Sequence, residues 1–405
     1  MLINQKGGTM YIYKAAVVGA GAMGAGIAQV LTYSGLPVIL KDLNQVFVDR
    51  GLQSVLKIYQ GRVSKGKMTT TEMDQKMALI SGATDYSGFS DVDCVIEAVP
   101  EDMGFKQALF SELERVCPPS TIFATNTSSL SVSAIQSVLK KPGRLIGMHF
   151  FNPAPVMKLI EVIPGIQTAS DVVDDMIALA ESLRKIPIRV QDCPGFLVNR
   201  LLMPYLNEAT LMFQERAMTP QEIDAAVVAF GMPMGPLMLM DMIGLDVDYK
   251  VSEILYDAYG PRMKPSSMLK EMVHAGRFGI KSGYGFYKYA DDGGTLPIAE
   301  TTQITHSVPV HRMILPLINE AVIALQEGVA TAQDIDVAMM AGVGFPEKTG
   351  GPLHYADQIG LDRVLFELQA WTVERGDRFW PAPLLKRMVA GGMCGVKSKR
   401  GFFTY

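Results

Sequence analysis

The sequence predicts a doubly wound α/β parallel sheet followed by two homologous all-α domains, and three observations carry that prediction. Between Lys14 and about Ile163, short β-branched runs alternate with longer helical patterns, the order expected of βαβ units. The first run opens directly into a glycine-rich turn. After Pro164 strand signals nearly vanish apart from Ile186–Val190, and Met-rich helical segments form two copies of one unit.

The strand candidates are Ala15–Val18, Val38–Lys41, Cys94–Ala98, Thr121–Ala124 and Arg144–His149. Leu52, Val55, Leu56, Tyr59 and Val63 recur at helical spacing, so the second helix buries one stripe and ends in the basic turn Ser64-Lys65-Gly66-Lys67. The helical repeat emerges when the chain is slid along itself by 112 positions. Arg200–Val227 then matches Arg312–Met339 at 12 of 28 positions, including Pro204/Pro316, Asn207-Glu208-Ala209 against Asn319-Glu320-Ala321, and Asp224/Asp336. A further four-residue shift aligns Gly244-Leu245-Asp246 with Gly360-Leu361-Asp362, and each copy closes with Gly-Phe and a Tyr, at Gly285/Tyr289 and Gly401/Tyr405. Three domains are expected: residues 1–192, 193–293 and 294–405.

Composition excludes several classes. With 405 residues, 48% hydrophobic and 19% charged, the chain can bury enough apolar surface to fold throughout. A net charge of -4 without a basic stripe argues against nucleic acid as a ligand. Cys94, Cys117, Cys193 and Cys394 lie far apart without C-x-x-C spacing and read as reduced thiols. No apolar leader or membrane-length stretch is present, so a cytoplasmic location is expected. Met10 stands just before the first strand, which leaves the nine preceding residues open as a linker or an upstream start. No metal-ligand set stands out.

Ala15-Ala16-Val17-Val18 runs into Gly19-Ala20-Gly21-Ala22-Met23-Gly24, a G-x-G-x-x-G turn between a strand and a helix. Gly19 permits the tight turn, Gly21 lets backbone approach a pyrophosphate, and Gly24 lets helix and strand pack closely. Eighteen residues on, the second strand ends in Asp42, the acidic partner for a ribose 2′-hydroxyl. Its carboxylate would repel a 2′-phosphate, and Leu43 and Asn44 offer no cation to receive one. NAD is therefore expected on a Rossmann-type domain. Glu97-Ala98-Val99-Pro100-Glu101-Asp102 and Thr125-Asn126-Thr127-Ser128-Ser129 end further strands near the switch point; each reads equally as a ligand contact or as an ordinary helix cap or turn. His149 ends an apolar strand, and Glu161 sits twelve residues later inside Leu159-Ile160-Glu161-Val162-Ile163. A carboxylate there needs a partner. A His–Glu dyad would supply it, fixing the imidazole tautomer and stabilising the imidazolium formed on proton abstraction.

Gly19-Ala20-Gly21-Ala22-Met23-Gly24, Glu101, Asn126-Thr127-Ser128-Ser129-Leu130, His149-Phe150-Phe151-Asn152-Pro153 and Cys193-Pro194-Gly195-Phe196-Leu197-Val198-Asn199-Arg200 together resemble the L-3-hydroxyacyl-CoA dehydrogenase family, over essentially the whole chain. The doubled helical unit further resembles the dehydrogenase part of multifunctional β-oxidation α-subunits, without their upstream hydratase/isomerase half. The resemblance implies reversible NAD-dependent oxidation of a 3-hydroxyacyl-CoA, in fatty-acid β-oxidation or short-chain 3-hydroxybutyryl-CoA metabolism. It implies His149 as general base oriented by Glu161, Ser128 and Asn199 as donors to the reacting oxygen, and Gly19, Gly21, Met23, Gly24, Asp42, Glu101 and Asn126 at the cofactor. Lys65 matches the region where the family meets CoA phosphates; Arg62, Lys65 and Lys67 read equally as a solvated helix end. A related dehydrogenase on a free hydroxy acid and a non-catalytic protein that binds dinucleotide passively are the alternatives.

In the second repeat, Val198-Asn199-Arg200 faces Val310-His311-Arg312, so Asn199 has no copy, and Pro194-Gly195-Phe196 falls against His306-Ser307-Val308. This copy is expected to replace a partner subunit's domain, an internal pseudo-dimer without catalytic groups. A monomer, a homo-oligomer and association with other β-oxidation enzymes all stay open.

Overall fold

The computed structural model describes residues 12–215, 218–290, 294–296 and 309–405. The segment up to Met10 and the stretch His306-Ser307-Val308 lie outside the described residues. The chain divides into two compact units, one ending at Phe196 and the other running Leu197–Tyr405, so both helical copies fall within one unit.

The first unit runs β1 (Ala15–Val18), α1 (Ala22–Tyr33), β2 (Val38–Lys41), α2 (Gln45–Ser64), α3 (Thr70–Met77), β3 (Ile80–Ala83), β4 (Cys94–Glu97), α4 (Met103–Val116), β5 (Ile122–Thr125), α5 (Val132–Gln136), β6 (Leu145–Phe150), β7 (Leu159–Pro164), α6 (Ser170–Ser182) and β8 (Ile186–Arg189). These strands form one sheet in the order β3-β2-β1-β4-β5-β6-β7-β8. The first six are parallel; β7 runs antiparallel to β6, and β8 parallel to β7. Every residue of β1, β4, β5, β6 and β7 is buried, as expected of strands covered on both faces. The order reverses between β1 and β4, and the turns after β1, β4, β5 and β6 open on the carboxyl side of that switch point.

Two strands of this sheet fall outside the predicted set. β3 reads Ile-Ser-Gly-Ala and is half-exposed at the sheet edge, so it lacks an apolar signature and owes its conformation to pairing with β2. β7 is the apolar run around Glu161, recruited as a strand by the antiparallel ladder with β6. Observed β5 and β6 each start one residue later than predicted.

In the second unit each copy contributes five α-helices: α7 (Val198–Gln214), α8 (Pro220–Phe230), α9 (Pro236–Ile243), α10 (Leu245–Tyr259) and α11 (Ser267–His274), then α12 (His311–Gln326), α13 (Ala332–Val343), α14 (Pro352–Ile359), α15 (Leu361–Arg375) and α16 (Pro383–Ala390). The repeated Gly-Phe…Tyr endings have a common cause. Asp241 accepts the amides of Phe286 and Tyr287 at 2.9 Å and the Tyr289 hydroxyl at 2.8 Å, while Asp357 accepts those of Phe402 and Phe403 and the Tyr405 hydroxyl, each at 3.0 Å. A Cβ on Gly285 or Gly401 would stand 1.9 Å from the carboxylate it faces. The long helices α7 and α12 pack against one another and are tied by a reciprocal set of ion pairs in which Arg200, Arg312, Glu208 and Glu320 are buried and Glu215 and Glu327 are exposed. Arg200 meets Glu320 at 2.7 Å and Glu327 at 2.7 Å; Arg312 meets Glu208 at 2.9 Å and Glu215 at 2.8 Å. These partners are one another's equivalents under the 112-residue shift.

Candidate active site

The glycine turn after β1 is shaped by three different contacts. Gly19 adopts φ +104°, where a Cβ would also stand 2.4 Å from the Ala98 carbonyl oxygen, and a Cβ on Gly24 would stand 1.7 Å from the Gly19 carbonyl oxygen. At Gly21 a Cβ would meet nothing within 4 Å. Gly21 precedes α1 without a side-chain cap, so the positive end of the helix faces open space, as an anion site requires. Half-buried Met23 lies in the first turn. Asp42 secures the turn: its Oδ2 accepts the Ala20 amide and its Oδ1 the Leu43 amide, both at 2.6 Å. Asn44 is committed to capping α2 through the Phe47 amide, and Leu43 is 82% exposed. A dinucleotide with a free ribose hydroxyl fits this edge; a 2′-phosphate would meet the Asp42 carboxylate, and neither Leu43 nor Asn44 offers it a cation.

His149 and Glu161 are direct partners in the antiparallel register of β6 and β7. Their side chains meet, Nδ1 to Oε2, at 2.8 Å, with His149 5% and Glu161 0% exposed. Because a carboxylate only accepts, Nδ1 is the donor in this contact, which leaves Nε2 as the ring nitrogen available to a ligand. The imidazole is flanked by Phe151 and Phe196, ring centres 4.5 and 5.9 Å away. Asn126 accepts the Phe150 amide through Oδ1 at 2.8 Å, fastening the turn after β5 to the end of β6.

Glu101 and Asp102, adjacent in sequence, have separate tasks. Asp102 caps α4 through the Phe105 amide at 2.9 Å. Glu101 instead gathers the turn after β5, accepting the Thr127 hydroxyl at 2.5 Å and the Ser128 and Ser129 amides at 2.9 and 3.1 Å. Burial would raise its pKa, but the Lys106 ammonium 3.3 Å away and the bonds from Thr127 and Ser128 outweigh burial and hold it below the ordinary glutamate range.

Lys106 belongs to no predicted set. Its Nζ lies 2.6 Å from Glu97, whose other oxygen accepts the Thr125 hydroxyl at 2.6 Å, and both charged side chains are almost fully buried. Lys106 thus bridges the end of β4 to Glu101. The signal was available: Lys106, Phe110 and Leu113 share the buried stripe of α4, where a lysine demands an acidic partner.

Asn199 lies in the first turn of α7, in the second unit. Lys65 is exposed at the end of α2. Arg62 donates to the Tyr33 hydroxyl at 2.7 Å and stacks on that ring at 4.4 Å, so its charge is already engaged.

A dinucleotide cradle at the switch point beside an imidazole–carboxylate pair defines a nicotinamide-dependent oxidoreductase. Comparisons with known proteins narrow that class. Residues 14–193 match the family model for the 3-hydroxyacyl-CoA dehydrogenase NAD binding domain, and residues 195–289 and 309–405 each match that of the C-terminal domain. The chain belongs to the 3-hydroxyacyl-CoA dehydrogenase family. It is 37% identical over 395 residues to a peroxisomal fatty acid beta-oxidation multifunctional protein of Oryza sativa subsp. japonica, covering 93% of this chain and 54% of that one. The chain therefore spans about half the length of the curated relatives it matches. Among solved structures, 3-hydroxybutyryl-CoA dehydrogenase from Escherichia coli K12 aligns with a TM-score of 0.86 at 32% identity, covering 95% of this chain and 100% of that one. The dehydrogenase part of multifunctional enzyme 1 from C. elegans aligns at 0.68 and 30%, covering 96% and 93%. Among the described residues no helix is long and apolar enough to cross a membrane.

Proposed function

We propose that this chain catalyses the reversible NAD-dependent oxidation of an L-3-hydroxyacyl-CoA to the 3-oxoacyl-CoA. The observation that carries the reading is the buried 2.8 Å contact between His149 and Glu161 at the carboxyl end of a strand in an NAD-binding domain. Bound NAD would supply the hydride acceptor. His149 Nε2 takes the proton of the substrate's 3-hydroxyl, and Glu161, already on Nδ1, stabilises the resulting imidazolium without moving. Ser128 and Asn199 hold the oxygen as it becomes a carbonyl. Gly19, Gly21, Met23 and Gly24 receive the pyrophosphate, Asp42 the adenosine ribose, and Glu101 and Asn126 fix the turn nearest the nicotinamide. Lys65 and Arg62, at the same end of α2, meet the CoA phosphates.

The second helical copy, residues 294–405, takes the place of a partner subunit's helical domain and contributes no catalytic group. A cytoplasmic, acyl-CoA-using enzyme, alone or beside other β-oxidation enzymes, accords with this reading. Loss of NADH absorbance with acetoacetyl-CoA tests it. His149→Ala should lower turnover by about 10²–10⁴-fold, with Glu161→Gln falling less. A His149→Ala protein that keeps wild-type turnover would end the reading.

A further inference from the structure

The turn that follows β6 is closed from two sides. Within it, the Pro153 carbonyl accepts the amides of Val156 and Met157 at 2.9 and 3.0 Å. From outside, Lys185 Nζ donates to the Ala154 carbonyl at 2.5 Å and to the Met157 carbonyl at 2.7 Å. Local backbone delivers that lysine. Past α6, Arg184 adopts φ +59°, the Lys185 amide returns to the Ala180 carbonyl at 3.0 Å, and the Ile186 amide meets the Lys158 carbonyl at 2.8 Å where β8 begins. The other face of the turn rests on α1. A Cβ on Gly26 would stand 3.2 Å from Pro155 Cδ and 3.3 Å from the Ala154 Cβ, so helix and turn are in close contact. Burial pushes the Lys185 ammonium down to about 8. A lysine held at that disadvantage serves the two carbonyls; an apolar side chain of equal reach would pack there without the desolvation cost but leave both unmet.

We propose that Lys185 is a positioning residue for the reaction: by closing the 153–157 turn it holds the end of β6, which carries His149, at a set spacing from the dinucleotide helix α1. The inference rests on the dehydrogenase reading above. It has a mechanical basis, since the turn begins four residues after His149 and bears on the helix that starts at the glycine loop, and hydride and proton must leave one carbinol in a common geometry.

The test compares wild type with Lys185→Met and Lys185→Arg by amide hydrogen exchange at Val156 and Met157, and by turnover of acetoacetyl-CoA with NADH and with 4-deuterated NADH. In Lys185→Met both amides should exchange at least about ten-fold faster, and turnover should fall by about ten-fold or more with a larger primary isotope effect, because misplacement slows the chemical step. Lys185→Arg should recover most of both. Should Lys185→Met fail to fold, Gly26→Ala presses on the same turn from α1 and should also slow turnover and raise the isotope effect; wild-type values in that variant overturn the inference. So do wild-type exchange and turnover in Lys185→Met, or a rate loss that merely tracks the unfolded fraction at an unchanged isotope effect. A wild-type protein that oxidises no NADH would remove the dehydrogenase reading itself and the inference with it, whereas an active wild type beside an indifferent Lys185→Met sinks the inference alone.

Discussion

The two helical copies share their scaffolding and differ in what it encloses. Both keep the aspartate clasp on their last turn and the arginine–glutamate exchange across α7 and α12. At the position of Asn199, however, the second copy holds His311, tied to Glu367 and to the Tyr355 hydroxyl, each at 3.0 Å. Inside the first copy Tyr205, Asp248 and Ser252 are buried; the equivalent positions in the second are Leu317, Val364 and Leu368. Where Tyr287 donates to Asp224 at 2.7 Å, the second copy has Phe403 and recruits His354 to Asp336 at the same distance. Groups that join the copies are present twice. Buried Asp224 and Asp241 likewise recur as Asp336 and Asp357, whereas the polar groups of Tyr205, Asp248 and Ser252 are replaced by aliphatic side chains in the second copy, whose core is less polar at those positions.

The sharpest break between the copies should come from paired substitutions at one equivalent position. Asn199→Ala is expected to lower turnover by about 10²–10³-fold, whereas His311→Ala should leave it within about two-fold. Steady-state kinetics on both variants, with circular dichroism to verify folding, decide the matter; comparable losses would mean that the second copy takes part in chemistry.

Next in size is the interface. Arg312→Ala removes one arginine from buried Glu208 and exposed Glu215, and Arg200→Ala removes one from buried Glu320 and exposed Glu327, so each should cost about 1–3 kcal/mol in denaturant unfolding, the range for losing a hydrogen bond to a buried charged group. Arg262 stays beside Glu320, and Arg378 and Arg375 stay beside Glu208 and Glu215, which keeps both losses below that of a stranded charge. Wild-type stability in either variant would contradict the reciprocal design.

The smallest effect is a gain. Asp248 is fully buried, and burial pushes its carboxyl up to about 7. An unfolded chain releases that proton near 3.9. Between those values the folded state holds a proton the unfolded state has lost, so stability falls as pH rises from about 4 to about 7. Asp248→Val, which copies Val364, should stabilise the protein by about 1–3 kcal/mol at pH 8 and by much less at pH 4. Thermal melts at the two pH values measure it; a gain independent of pH would place the cost elsewhere.

Much of this was readable from residues alone, for a physical reason. Gly19 to Gly24, Asp42 and His149 obey local rules: a turn that only glycine tolerates, or a polar residue at the carboxyl end of an apolar strand. The 112-residue repeat likewise survives in spelling because Arg200, Glu208 and their copies are fixed by mutual pairing. Contacts made at a distance were hidden. β3 has no pattern of its own and is called into the sheet by β2. Glu101 and Asp102 look interchangeable as caps, and only the turn at Thr127–Ser129 separates them. Lys185 sits at an unremarkable helix end, and its two carbonyl partners lie 31 and 28 residues upstream.

The ladder between β6 and β7 has one more consequence. His149 and Glu161 face each other because main-chain hydrogen bonds put those strands side by side, so their separation is inherited from the sheet rather than adjusted by side chains. A slip of one rung would bring Val162 or Ile160 across from the imidazole and turn the carboxylate toward the opposite surface. Enzyme rate should therefore act as a gauge of strand registry, vanishing when those two strands part.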